Sequence, residues 1–141
     1  MSDVLRRAFR DVPTARVATV GPGGAPHVAP AWFVWLEDAL YLCAREGGTT
    51  WLNAGFDPRV AVVVDRGRDW AELAGVQVEG PADLLPAEHP ELRTAMSAWH
   101  EKYRTMLSGS SFERMTEEIS ALGFLRVEPV EVRAWDHAHG P

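Results

Sequence analysis

Residues 45–58 concentrate the polar groups that are best suited to hold an anionic ligand. Glycines in this segment allow a ligand to approach the backbone, and threonine hydroxyls donate hydrogen bonds. An arginine can add a charge-assisted bond to a phosphate. The residues concerned are Arg45, Gly47, Gly48, Thr49, Thr50 and Asn53. The alternative is an ordinary loop, in which Thr49 or Thr50 caps a short helical turn over residues 50–54.

Aromatic residues lie close to this segment in the sequence. The chain contains six Trp, and the aromatic set near the segment is Trp32, Phe33, Trp35 and Trp51. Flat apolar walls with a few polar groups are typical of a pocket for a ring-shaped ligand. The same residues are also expected in a core or in a subunit interface, where Trp is enriched. Because a ligand can lie in such an interface, the two interpretations are compatible.

The remaining reactive residues favour no particular chemistry. Cys43 lies in the apolar run ALYLCA, which is typical of a small buried residue rather than a nucleophile. The histidines have no metal-site spacing within a regular element, and the sequence DHAH at 136–139 falls in a predicted tail. No Ser/His/Asp, Cys/His or paired-carboxylate arrangement is indicated. We therefore predict no metal site and name no catalytic residue.

The composition is that of one globular domain. The chain has 141 residues, of which 46% are hydrophobic, so it can form one packed core. A net charge of −6 without a basic cluster argues against nucleic acid as a partner. A lone cysteine, no signal-like N-terminus and no membrane-length apolar run predict a cytoplasmic protein without membrane association. Lys102 is the only lysine beside 13 arginines, a bias that we attribute to genome composition.

Periodicity predicts the elements that must position these groups. Strands are predicted at residues 15–20, 25–36, 39–44, 59–64, about 76–85 and 124–135, and helices at about 2–9, 90–107 and 111–122. Pro26 and Pro30 indicate an open edge or a bulge early in the second strand. A slip of the alternation at Glu128-Pro129 predicts a bulge in the last strand. Residues 137–141 are predicted to be a frayed tail.

The order of these elements predicts a β-barrel. The strands are short and mostly sequential, and the strand at 59–64 is apolar on both faces, which suits cover by a second layer or a subunit. A closed or split barrel with helices packed on it removes exposed strand edges most simply. We therefore expect a mostly β, α+β fold: a six-stranded antiparallel split β-barrel with flanking helices, formed by residues 1–141 as one domain.

Four segments in a fixed order carry a family resemblance. They are ATVGPGGAPHVAPAWFVWLEDALYLCA at 18–44, N-x4-PRVAVVVD at 53–65, GVQVEGPADLL at 75–85 and LRVEPVEVRAWD at 125–136. Together they resemble the pyridoxamine 5′-phosphate oxidase-like FMN-binding split barrels, and more narrowly the branch that includes enzymes using the deazaflavin F420. The resemblance covers about residues 3–136.

This resemblance implies a homodimer with two sites for FMN or coenzyme F420 in its interface. It implies that the cofactor phosphate and ribityl chain lie near Arg45, Thr49, Thr50 and Asn53. The ring is expected near Pro30, Ala31, Trp32, Cys43 and Ala44, and Trp51 completes the predicted cofactor-binding set. The implied activity is a flavin- or F420-dependent oxidoreductase acting on a small molecule.

The chain departs from the family pattern at one point. Family members often carry Arg and Lys at the positions of Thr49 and Thr50. Each lost charge-assisted bond to a phosphate is worth roughly 1.5–3 kcal/mol. This departure allows three interpretations: the chain binds flavin more weakly, it binds a different flavin or deazaflavin, or it has lost the cofactor. The alternative function is a non-catalytic split-barrel dimer that binds flavin, haem or another ligand. The product site of the true oxidases is not recognisable, so we do not expect that activity.

Overall fold

A computed structural model describes residues 2–119 and 122–139, which form four helices and seven strands. In chain order these are α1 (Asp3–Phe9), β1 (Thr14–Val20), β2 (Pro26–Leu36), β3 (Ala39–Ala44), α2 (Thr49–Phe56), β4 (Arg59–Arg66), β5 (Ala74–Leu85), α3 (Leu92–Met106), α4 (Ser110–Ile119), β6 (Gly123–Val127) and β7 (Glu131–Asp136). Part of the predicted end of the last helix, residues 120 and 121, lies outside the described residues. None of the helices in the described ranges is long and apolar enough to cross a membrane.

Six antiparallel strands close into a barrel. They follow the order β4, β1, β2, β3, β6 and β5, and β4 pairs with β5 to complete the ring. Closure pairs the edges that an open sheet would expose. The predicted six-stranded antiparallel split barrel of the α+β class is therefore confirmed. A seventh strand, β7, pairs with β5 outside the ring.

The prediction of a single last strand is wrong, because this region forms two strands. β6 pairs with residues 82–85 of β5, and β7 pairs with residues 74–79 of the same strand. Between these pairings Val130 N donates to Glu79 O at 2.9 Å. The backbone here passes so close to Gly80 that an added Cβ would lie 1.7 Å from Glu128 O. The interruption coincides with the predicted bulge, and Gly80 is required because it has no Cβ.

The first half of β2 has one open edge. Residues 26–32 pair with β1, and residues 33–36 pair with β3. No other described strand pairs with residues 26–32. Pro26 and Pro30 therefore fit here without losing a ladder bond on that side. The open edge that the two prolines predict is confirmed.

The predicted polar loop is largely helical. α2 extends over Thr49–Phe56, beyond the helical turn expected at 50–54. Leu52 N donates to Gly48 O at 2.9 Å, and Asp57 N donates to Asn53 O at 2.8 Å. The helix buries Asn53 and Ala54. Tertiary packing thus stabilises a short helix whose Gly- and Thr-containing sequence has weak intrinsic helix preference.

Apolar clusters pack on both faces of the barrel wall. All six barrel strands fill the interior with fully buried side chains, among them Val17, Phe33, Leu42, Val62, Val76 and Leu125. Outside the barrel, Trp99 and Tyr103 of α3 and Ile119 of α4 form a cluster with residues of the barrel strands, among them Val34 of β2, Tyr41 of β3 and Phe124 of β6. β3 contributes side chains to both clusters. Leu42 points into the barrel and Tyr41 points outward, because successive side chains of a strand alternate between its two faces.

Residues 137–139 form a 3-10 turn, so the prediction of a frayed tail is wrong for them. His137 N donates to Leu73 O at 2.8 Å, and His137 Nδ1 lies 2.8 Å from Trp70 O. The rings of Trp70 and His137 are 4.5 Å apart between centroids. These contacts fix the turn against the start of β5. Residues 140 and 141 lie outside the described residues.

Candidate functional site

A pocket of about 280 Å³ opens where β1, β2 and the end of β3 meet α2. Seven of the ten predicted cofactor-binding residues line it, namely Pro30, Ala31, Cys43, Ala44, Arg45, Thr49 and Thr50. Val17, His27 and Gly48 complete the lining. Residues from separate strands thus converge on the start of α2, as a ligand site requires.

The first turn of α2 gives this pocket its donors. Gly48 is the N-cap residue and provides no side-chain cap, and no acidic residue occurs in the first turn. The first N–H groups of a helix have no partner within the helix, so they remain available to a ligand. Together with the helix dipole they attract anions. The Thr49 and Thr50 hydroxyls lie beside them in the pocket lining, so this end of the pocket suits a phosphate-like group.

Arg45 supplies formal positive charge at the pocket. Its side chain is exposed. Among the ion pairs formed within the described residues, none involves Arg45. The guanidinium is therefore available to form a charge-assisted bond with a bound anion. One arginine partly offsets the missing positive charge at Thr49 and Thr50.

Small residues and a thiol make up the other side of the pocket. Ala31 and Ala44 are 7% and 6% exposed, and they leave room beside the barrel wall. Burial raises the pKa of Cys43 to about 12, so the thiol is uncharged near neutral pH. An uncharged, poorly ionised thiol behaves as apolar lining and not as a nucleophile.

Three predicted residues do not line this pocket. The ring of Trp32 packs edge-on against Tyr103, with centroids 5.1 Å apart. Trp51 packs against Gly123, where an added Cβ would be 2.6 Å from the indole. Asn53 is buried, and its Nδ2 donates to Thr19 Oγ1 at 3.1 Å. Asn53 thus ties α2 to β1, so it holds the start of the helix at the pocket.

His27 is a pocket residue that the sequence pattern did not single out. It lies on β2, paired with Thr19 of β1 and half-buried. Strand alternation places His27 on the same face of β2 as the predicted residue Ala31, four positions further on. This two-residue alternation was the only feature of the sequence that could have indicated His27 as a pocket residue. The alternation is weak evidence alone, because it does not show that the start of α2 packs beside this face of β2.

The antiparallel split barrel, with a pocket between its wall and a short helix, defines the structural class of this protein. Within that class, the family model for pyridoxamine 5′-phosphate oxidase matches residues 1–136. The chain therefore belongs to this family. A comparison with curated proteins found no match.

Solved structures share the fold over nearly the whole chain. A conserved hypothetical protein, Rv2991 from Mycobacterium tuberculosis, is 26% identical over 97% of this chain and 86% of its own, with a TM-score of 0.75. An FAD-binding protein from Mesorhizobium loti is 20% identical over 95% and 92%, with a TM-score of 0.69. An F420 reductase is 18% identical over 94% and 98%, with a TM-score of 0.67. The last two proteins are at most 20% identical to this chain, so their similarity shows only that they share its fold.

Proposed function

We propose that this protein binds FMN or the deazaflavin F420 in the α2 pocket and acts as an oxidoreductase on a small molecule. The observation that carries the proposal is the first turn of α2. It combines a helix N-terminus with no side-chain cap, two hydroxyls and an arginine that forms no ion pair within the described residues. Membership of the family and the fold shared with an FAD-binding protein and an F420 reductase support it.

The donors of the pocket suit the phosphate of such a cofactor. Arg45, the Thr50 hydroxyl and the first N–H groups of α2 would hold that phosphate. Pro30, Ala31 and Ala44 would lie beside the ring, where small side chains leave space. A bound flavin or deazaflavin supplies hydride transfer, while the protein orients it and excludes water. His27 lines the same pocket, so its imidazole would donate or accept a hydrogen bond at the bound cofactor.

A second copy of the chain would complete this site. About 280 Å³ is small for a whole cofactor, since ligand pockets range from about 300 to 1,000 Å³. The outer face of β1, β2 and β4 also carries apolar side chains, with Val28 65% exposed. Beside it lies a mainly apolar groove of about 600 Å³ that includes Ala18, Ala61 and Val130. We therefore propose a homodimer that buries this face and holds the cofactor at its interface.

The alternative is a non-catalytic dimer that binds flavin, haem or another ligand. Thr49 and Thr50 favour it, because they leave the phosphate site with fewer positive charges than the family pattern has. The neutral Cys43 thiol also offers no acid or base at neutral pH. Binding without turnover would then be the function of the pocket.

Titration of the purified protein distinguishes these functions. FMN, F420 and haemin are added separately, and the visible spectrum and ligand fluorescence are followed. We expect saturable binding of FMN or F420, followed by reduction or reoxidation of the bound cofactor when a nicotinamide or small-molecule partner is supplied. Haem binding alone, or flavin binding without any turnover, would support the alternative. A protein that binds none of the three would contradict the proposed oxidoreductase and would leave only binding of another ligand from the alternative.

A further inference from the structure

One side of the barrel is a five-stranded sheet whose middle strand is β4. Its strands follow the order β2, β1, β4, β5 and β7, and β2 takes part with residues 26–32. Val17, Val62 and Val78 point into the barrel and are buried, so the residues that alternate with them point outward. We call the outward side of these five strands the β4 face.

Two carboxylates lie side by side at one end of the β4 face. Glu79 of β5 and Glu131 of β7 are register partners, and both line the groove of about 600 Å³. Like charges directly opposite each other on one face of a sheet destabilise it. Arg59 also lines the groove, but its guanidinium is bonded to Asp57 at 2.7 Å. The β5–β7 side of the face therefore concentrates negative charge.

One protomer compensates this charge only in part. Glu79 is half-buried, and its Oε1 accepts a hydrogen bond from the neutral amide of Gln77 at 2.7 Å. Glu79 takes part in no ion pair of the described ranges. Glu131 lies 3.7 Å from Arg133, but both side chains are exposed, and exposed pairs contribute little. Glu79 therefore lacks a cation.

An arginine without a carboxylate lies on the opposite side of β4. Arg16 of β1 is exposed between the buried Ala15 and Val17, so it points outward. Its Nη1 donates to Thr14 Oγ1 at 3.3 Å, and it forms no ion pair with any residue that the structure describes. The β4 face thus carries a positive group on one side of its middle strand and negative groups on the other.

This charge pattern favours one way of stacking two copies. A two-fold axis along β4 places β1 of one copy over β5 of the other, because these strands are the two neighbours of β4. An axis across the strands would bring the carboxylates of the two copies together, which is unfavourable. Ala61 and Val63 at the middle of β4 allow close approach. Arg59 and Asp65, at the ends of this strand, would form the polar rim.

We propose that Arg16 of each copy forms an ion pair with Glu79 of the other across a two-fold axis along β4, a pairing that rests on the proposed homodimer. Arg16 is the register neighbour of Val63, which pairs with Gln77. Arg16 of the second copy therefore lies over Gln77, two residues or about 7 Å from Glu79. A long arginine side chain spans this distance. Its guanidinium also reduces the repulsion between Glu79 and Glu131.

The same stacking covers the most exposed apolar groups of the β4 face. β2 and β7 are its edge strands, so an axis along β4 places β2 of one copy over β7 of the other. Val28 of β2 is 65% exposed, and Val130, which precedes β7 and lines the groove, is 70% exposed. Their mutual burial removes both side chains from water. The apolar contacts and the charges therefore favour the same arrangement.

Charge reversal followed by mixing of chains tests this pairing. Arg16→Glu and Glu79→Arg each place like charges at both symmetric contacts, so each variant alone should dimerise about 100-fold more weakly or worse. An equimolar mixture restores opposite charges at both contacts and should form a heterodimer with a Kd within about tenfold of that of the unmodified protein. Sedimentation equilibrium measures association, and native mass spectrometry identifies the mixed dimer by its mass.

Glu79→Gln provides a second test at this half-buried position, because it removes the charge and retains the shape. It should weaken the dimer by about tenfold or more. Arg104→Glu is the matched control for charge. Arg104 is exposed on α3, which contributes no residue to the β4 face, so this variant should dimerise like the unmodified protein.

Three results would overturn the pairing: a monomeric unmodified protein, Arg16→Glu or Glu79→Gln dimers as tight as that of Arg104→Glu, or no heterodimer on mixing. Only the first of these also contradicts the proposed homodimer. If the unmodified protein is a dimer but the charge variants behave like the control, the homodimer stands and the pairing does not. Cofactor titration of the unmodified protein is a separate measurement, so failure of the proposed activity is recognised independently.

Discussion

The hydroxyl of Thr50 lies in the first turn of α2, where an anion would be held. A carboxylate at this position would repel a phosphate and compete for the free N–H groups. We expect Thr50→Glu to weaken FMN or F420 binding by about 3 kcal/mol or more, which is about 100-fold or more in Kd. Fluorescence titration measures the loss, and circular dichroism and sedimentation check that fold and assembly are retained.

Thr94→Glu is the matched control for this experiment. Thr94 is an exposed threonine on α3, remote from the lining of the α2 pocket. Its substitution makes the same change in net charge and should leave cofactor affinity unchanged. Equal affinity of Thr50→Glu and the unmodified protein would remove the first turn of α2 from the binding site.

The thiol of Cys43 reports the environment of the pocket wall. Burial raises its pKa from 9.0 to about 12, so at pH 8 the folded protein carries roughly a thousandfold less thiolate than an ordinary cysteine would. We expect iodoacetamide to alkylate Cys43 far more slowly in the folded protein than in urea. Mass spectrometry of timed samples measures both rates. Comparable rates in the two states would show that the thiol is not desolvated.

The same shift gives a pH dependence of stability. The native state keeps the Cys43 proton up to about pH 12, whereas the unfolded state loses it near pH 9. The native state thus binds more protons in this window, and the contribution of Cys43 to stability is lost as pH rises through it. Cys43→Ala should reduce this loss.

At the scale of elements, Tyr103 connects α3 to the barrel. Its fully buried hydroxyl accepts from Phe33 N at 3.0 Å and lies 2.8 Å from Pro13 O, to which it can donate. Tyr103→Phe leaves the buried Phe33 N and the partly buried Pro13 O without this partner. We expect a loss of about 2–4 kcal/mol in the free energy of unfolding, measured by urea denaturation. Thr105→Ala removes an exposed hydroxyl from the same helix and should change stability by less than about 0.5 kcal/mol.

Sequence patterns within a few residues predict the structural features that depend only on those residues. The bulge near Pro129 is visible because a proline and a slipped alternation occur together in a few residues. The length of α2 is not visible in the same way. Its helix depends on burial of Asn53 and Ala54 against distant strands, and on the Asn53–Thr19 hydrogen bond. His27 likewise joins the site through tertiary placement of α2, which no single segment encodes.

At the scale of the whole molecule, the outer sheet face determines the proposed assembly. Val28, Ala18 and Ala61 are register neighbours across β2, β1 and β4. Because Val28 is 65% exposed in one protomer, Val28→Glu should leave the protomer folded. It should nevertheless prevent the face from being buried against a second copy, because it introduces charge. We expect sedimentation equilibrium to show a dimer for the unmodified protein and a monomer for this variant.

Val4→Glu is the matched control for the dimer. Val4 is an equally apolar residue, 75% exposed on α1. Its substitution should leave the dimer intact. An unmodified protein that sediments as a monomer, or equal behaviour of the two variants, would contradict the proposed interface. Since the cofactor is proposed to lie at this interface, Val28→Glu should also weaken its binding.

β5 has three strand neighbours, because it pairs with β4, β6 and β7. Strands therefore cover both sides of β5 over residues 74–79, and the amide protons of this half should exchange with deuterium only when the whole barrel opens. α4 buries only Ile119 among its described residues, so its amides should exchange through local opening. The barrel and the outer helix would then be separate cooperative units, and the helix could detach while the ring of strands stays closed.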